Sequence, residues 1–213
     1  MSALKGIERV LVLAPHTDDG EFGCGATIAR LSAQGAEVTY VAFSAAEQSV
    51  LPHLPRDILR TEVYQATERL GIVRDRCIVL GYQVRQFPSQ RQQILEDLVA
   101  LNSRLRPQVV FLPSPTDTHQ DHSVIAAEGF RAFKRCSMLG YEVPWNNLDF
   151  RTSCFVEISE EDLRTKIDAL SMYRSQAHRA YASEEFIRSL ATVRGVQIGK
   201  RYAESFEVIR WVL

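Results

Sequence analysis

The residues with the most chemical potential in this 213-residue chain stand in two short groups. Pro15-His16-Thr17-Asp18-Asp19-Gly20-Glu21 directly follows the apolar run Val10-Leu11-Val12-Leu13-Ala14, which puts one imidazole and three carboxylates where a buried strand would end. Asp117-Thr118-His119-Gln120-Asp121-His122 follows Val109-Val110-Phe111-Leu112 in the same way and opens a segment with helical spacing. Three of the chain's 5 histidines fall in these two groups, whereas solvated histidines should scatter. Imidazole nitrogens and carboxylate oxygens suit zinc and similar divalent ions, and two histidines with one carboxylate leave room for a water. If His16, Asp19 and His122 converge, they make such a set. Asp18 or Asp19 would equally serve as a helix N-cap, and acids are favoured in a first helical turn, so the first group alone does not decide between the two roles.

Both groups need a scaffold that brings two strand ends together. Apolar runs at residues 9–14, 38–43, 77–80 and 108–112 are short and rich in Val, Leu and Ile, as strands buried on both faces are. Helical spacing separates them at 27–33, 57–70 (closed by Gly71) and 89–105 (stopped by Pro107). This β-α-β-α order implies right-handed crossovers and a doubly wound parallel sheet, in which the loops after the first and fourth strands meet at one edge. Residues 123–136 read as a further helix, 140–147 as a long loop that could wall a pocket, and 152–158 as a strand. Ser159-Glu160-Glu161-Asp162 opens a capped acidic helix running to about Ser171. The segment 195–213 reads as an edge strand or hairpin completing the domain.

Composition narrows the function. A 46% hydrophobic chain of this length supports one sizeable core, so residues 1–213 are read as a single domain. A net charge of −1 with both signs mixed along the chain offers no basic face for nucleic acid and no polybasic membrane anchor. Met1–Gly6 has no apolar leader and no run reaches transmembrane length, which predicts a cytoplasmic protein; a homo-oligomer is compatible with the sequence. Cys24, Cys77, Cys136 and Cys154 form no C-x-x-C pair and read as buried thiols, although Cys24 near a helix start could be held as a thiolate.

With both groups in hand, the chain resembles the PIG-L or LmbE-like family of zinc-dependent N-acetyl-sugar deacetylases. Ala14-Pro15-His16-Thr17-Asp18-Asp19-Gly20-Glu21-Phe22-Gly23-Cys24-Gly25-Ala26-Thr27 is similar to that family's A-(P)-H-x-D-D-x-E-x-G-x-G-(G/A)-T signature, and His119-Gln120-Asp121-His122 to its H-x-D-H signature. Softer similarity covers Arg60, Glu62, Leu70-Gly71, Ser175-Gln176 and Tyr202-Ala203-Glu204-Ser205-Phe206. The resemblance implies a three-layer Rossmann-like α/β sandwich with a mostly parallel central sheet. It implies Zn²⁺, or Fe²⁺ or another divalent ion, on His16, Asp19 and His122. It also implies Asp18 as general base and His119 as the group assisting the oxyanion or leaving group, with a small N-acetylated sugar or glycoconjugate as substrate. A protonated His119 would supply positive charge to the oxyanion, and Asp121 could set its tautomer.

Other residues are candidates for substrate contact. Arg56 and Arg60 follow the second strand end, where a guanidinium could hold a phosphate or carboxylate. Tyr141 and Trp145 offer flat faces for a sugar ring, or anchor their loop. Some family members carry a tyrosine two residues before the first histidine of H-x-D-H, where this chain has Asp117; that residue could orient a neighbour or bind a sugar hydroxyl. Glu21 could cap the helix or support a ligand. Two other functions compete with the enzyme. A non-catalytic sugar-binding relative would keep the same residues. A nucleotide-binding module is disfavoured because Gly20-x-x-Gly23-x-Gly25 is not the G-x-G-x-x-G fingerprint and its loop is acidic where a pyrophosphate would lie.

Overall fold

The computed structural model describes residues 6–212. Met1–Lys5, on which the expectation of no leader largely rests, and Leu213 lie outside them. The apolar runs form β1 (Arg9–His16), β2 (Glu37–Ser44), β3 (Cys77–Val79) and β4 (Val109–Pro113). Three further strands, β5 (Ser137–Tyr141), β6 (Cys154–Glu157) and β7 (Ala203–Arg210), complete one seven-stranded sheet of order β3-β2-β1-β4-β5-β7-β6. β1 to β5 are mutually parallel, and β7 runs antiparallel to both β5 and β6.

Alternate residues of each inner strand feed two cores. Val10, Val12 and Ala14 of β1 face one side with Val38, Tyr40 and Phe111, whereas Leu11 and Leu13 face the other with Phe43, Val110 and Leu112. Helices α1 (Asp19–Ala33), α2 (Ile58–Arg69), α5 (Glu160–Leu170) and α6 (Glu184–Val196) supply the first layer, and α3 (Arg91–Leu105) and α4 (Gln120–Ala132) the second. Burial on both faces explains why these strands read as unbroken apolar runs. The start of α5 carries the full capping box, Ser159 against Asp162, that its sequence announces.

Three sequence expectations change. Residues 137–141 are a strand, because the run is sandwiched between β4 and β7, whereas its Ser and Gly hide the strand pattern. The last strand is no edge: β7 inserts between β5 and β6. Helix α1 begins at Asp19, not near Thr27, and it is broken at Cys24 (φ −146°, ψ 22°).

A buried ion pair explains how that break is tolerated. Ala26 and Thr27 N–H donate to the Glu204 carboxylate at 3.1 and 2.7 Å, while Lys166 Nζ donates to Phe22 O at 2.6 Å and to Glu204 at 2.7 Å. Side chains from β7 and α5 thus satisfy the backbone groups that a broken helix leaves unpaired. Gly23 permits the close approach, since a Cβ there would overlap the Tyr141 ring. Cys24 is wholly buried and donates to Gly20 O, and burial pushes its thiol well up, so it is a packing residue and not a thiolate.

Candidate active site

β1 is flanked by β2 on one side and β4 on the other, so the chain reverses its strand order at β1/β4 and leaves a crevice at their carboxyl ends. His16 is the last residue of β1, and residues 113–119 lead from β4 into α4. The two motif loops therefore face each other. His16 Nδ1 lies 3.2 Å from Asp19 Oδ2 and 3.3 Å from His122 Nε2, and His122 Nε2 lies 3.2 Å from the same Asp19 oxygen.

These three atoms form a nearly equilateral triangle. Ligands held about 2.0–2.1 Å from a tetrahedral zinc stand roughly 3.3–3.4 Å apart, so the triangle has the size that such an ion demands. The other nitrogen of each imidazole is spoken for: His16 Nε2 donates to Asp121 Oδ2 at 3.0 Å, and His122 Nδ1 donates to Asp117 Oδ2 at 2.7 Å. Each carboxylate thereby leaves the inward nitrogen as a lone-pair donor, the arrangement that supports metal-ligating histidines. His119 also approaches, and the ring nitrogens of His16, His119 and His122 fall within 4.8 Å of one another. The set with Asp19 is the tighter of the two.

Electrostatics agree with a cation-seeking site. Burial lowers the His16 and His122 pKa values, but bonds to Asp121 and Asp19 for His16, and the Asp19 charge with bonds to Asp117 and Asp19 for His122, outweigh it and raise them to about 9 and about 10. Burial works against ionised Asp19, yet the His122 charge and the two histidine bonds hold it far below the usual carboxylate range. Asp18 occupies the N-cap position of α1 but makes no side-chain capping bond, and it lines the cleft. Burial, then the neighbouring Asp19 charge, push it up to about 6.

The structure reassigns several side chains. Asp121 does not steer His119 with its carboxylate, which instead accepts from His16, Arg85 N at 2.6 Å and Phe87 N at 3.3 Å. Its backbone N–H donates to His119 Nδ1 at 3.2 Å, so His119 presents Nε2–H outward. Burial, then the charges of His122 and His16, lower the His119 pKa, a shift that runs against the expected imidazolium. Asp117 is buried, with one oxygen on His122 and the other on His119 N, and it does not line the cleft, so it orients a neighbour and is not placed to meet a sugar hydroxyl. Glu21 caps nothing and touches no ligand; it is wholly buried and accepts from Tyr40 and Tyr173 hydroxyls, with burial raising it to about 8.

The substrate candidates separate in the same way. The cleft holds about 260 Å³ and is lined by both motif loops together with Trp145, Asn146, Gln176, Arg179 and Tyr181. Trp145 belongs to it, stacked on Tyr181 at 3.8 Å between ring centres. Tyr141 does not: it is a fully buried β5 residue whose hydroxyl donates to Leu13 O at 2.9 Å. Arg60 is turned to Glu47 at 2.8 Å, and neither it nor the exposed Arg56 lines the cleft. Arg179 and Tyr181 have no local sequence signal; only the Ser175-Gln176 pair just before them stood out.

Residues 11–133, more than half of the chain, match the family described as PIG-L, GlcNAc-PI de-N-acetylase. The chain belongs to the PIG-L family. Among PIG-L-like proteins, it is 27% identical over 172 residues to the uncharacterized deacetylase YaiS of Escherichia coli, covering 78% of this chain and 90% of that protein. It is 23% identical to the diacetylchitobiose deacetylase of Thermococcus kodakarensis, covering 95% and 84%. The N,N'-diacetylchitobiose deacetylase of Pyrococcus horikoshii, solved with its inhibitor MPG, superposes with a TM-score of 0.82 at 24% identity, covering 97% of this chain and 85% of that one. The mostly parallel α/β sheet is therefore that of the LmbE-like deacetylases. Among the described residues no helix is long and apolar enough to cross a membrane.

Proposed function

We propose that this PIG-L family protein is a metal-dependent deacetylase acting on an N-acetylated amino sugar or its conjugate. The observation that carries the reading is the triangle of His16 Nδ1, Asp19 Oδ2 and His122 Nε2, with the uncapped Asp18 carboxylate in the same cleft. His16, Asp19 and His122 would hold a divalent ion, zinc or iron(II), with donors suited to either. Such an ion polarises an amide carbonyl and lowers the pKa of a water toward about 7.

The chain's own groups supply the proton traffic. Asp18 takes the proton of the attacking water and returns it to the departing amine, a role that needs a carboxylate free of structural bonds. His119, its Nδ1 held by the Asp121 N–H, offers Nε2–H to the oxyanion that develops on the acetyl group. Asp117 and Asp121 keep the two ligand imidazoles in the tautomers that point lone pairs at each other. Trp145 provides an apolar face beside the reacting group, its other face being covered by Tyr181.

Acetate release from N-acetylglucosamine and its conjugates, measured with Zn²⁺-supplied protein, tests the reading. Release is expected in the wild type, and Asp18→Asn should lower kcat about 10²- to 10⁴-fold while metal content stays unchanged. A zinc-loaded protein that binds these sugars yet releases no acetate would instead make it a sugar-binding relative, and full activity in Asp18→Asn would remove the general base.

A further inference from the structure

Among the described residues, the cleft contains one charged side chain that the proposed chemistry does not use. Arg179 lines it with Asp18, Trp145 and Tyr181, whereas Arg60 pairs with Glu47 and Arg85 donates to Ser49. Although Arg179 is exposed, it is held in place by a relay. Its Nε donates to Gln176 Oε1 at 2.7 Å, Gln176 Nε2 donates to Ser175 Oγ at 3.2 Å, and Ser175 donates through N and Oγ to the buried Glu62 carboxylate at 3.0 and 2.5 Å. The relay ties the irregular segment 174–182 to α2, and it uses only one edge of the guanidinium. The Tyr181 ring flanks the same group at 5.7 Å. A pre-oriented guanidinium with its terminal nitrogens uncommitted to any carboxylate is a receptor for oxyanions, through its charge and its forked donors.

We infer that Arg179 makes this cleft selective for N-acetylated sugars that carry an oxyanion, a phosphate or a carboxylate, within reach of the reacting acetamide. The acetamide half of this statement rests on the deacetylase reading; the anion half rests on the cleft itself. Binding measurements keep the two apart. Calorimetric titration of zinc-loaded protein in the Asp18→Asn background would compare N-acetylglucosamine with its 1-phosphate, its 6-phosphate and N-acetylmuramic acid.

At least one anionic sugar should bind about tenfold or more tightly than the neutral one, the scale of a hydrogen bond to a charged group. Arg179→Gln should bring that ratio close to one, and Arg179→Lys should keep part of it, because charge survives without the fork. Arg56→Gln, outside the cleft, should leave the ratio intact. The phosphate and carboxylate arms identify which oxyanion is preferred. Equal binding of neutral and anionic sugars, or a preference that survives Arg179→Gln, overturns the inference. An Arg179-dependent preference in a protein that releases no acetate from any of these sugars would uphold it and overturn the deacetylase reading instead.

Discussion

The two walls of the cleft are built by different means. The inner wall comes from the ends of β1 and β4, and each of its donors has a second hydrogen-bonded partner: His16 on Asp121, His122 on Asp117, His119 on the Asp121 N–H. The outer wall comes from irregular chain around Trp145 and residues 176–181, held by stacking of Trp145 on Tyr181 and by the relay to Glu62. The proposed chemistry sits on strand ends, where donors can be kept near one geometry. The proposed selection of substrate would sit on loops, which can change without disturbing the triangle.

The largest effect is expected behind the inner wall, where helix α1 is anchored. Glu204 and Lys166 are both buried and hold the broken helix α1, which begins in the inner wall, against β7 and α5. Glu204→Ala leaves the buried Lys166 without its counter-charge and two N–H groups unpaired, which should cost about 3–5 kcal/mol in denaturant unfolding. The paired substitution Lys166→Met with Glu204→Gln should recover part of that loss. A loss below about 1 kcal/mol for Glu204→Ala would show that the broken helix behind the inner wall is held by packing alone.

Next in size is the steering of the ligands. Asp117→Asn should weaken zinc affinity about 10- to 100-fold, read by competition with a chelating dye, while the fold survives. An unchanged affinity would mean that the inner wall does not depend on the tautomer of His122. The smallest effect belongs to the outer wall. Trp145→Ala should raise KM for acetate release about 2- to 10-fold, from roughly 0.5–1.5 kcal/mol of lost aromatic contact, with kcat little changed. A fall in kcat with KM constant would place Trp145 with the reacting groups and erase the contrast between the walls.

How far this was legible in the sequence follows the same division. β1, β2 and β4 show as Val- and Leu-rich runs because both faces are buried, and the two donor groups follow two of them within a few residues. β5 and α6 were not legible. Ser137-Met-Leu-Gly-Tyr141 gains its strand form only from pairing with β4 and β7, and Glu184–Val196 lies in a segment with no motif to draw attention to it. Sequence closeness also misleads at short range. Asp121 stands two residues from His119, yet the turn into α4 sends its carboxylate to His16, 105 positions away in the chain.

By itself, the sequence of this protein determined the kinds of donor and their placement directly after apolar strands, the pattern on which the proposed imidazole and carboxylate chemistry rests. Only the tertiary structure decided which nitrogen of each histidine faces the set, which aspartate steers it, and that Arg179, not Arg56 or Arg60, brings positive charge to the cleft. The reason is physical. Residue type and local spacing act along the chain, whereas tautomers and lone-pair directions are set by hydrogen bonds between strand ends, and those ends become neighbours only once the strand order reverses at β1.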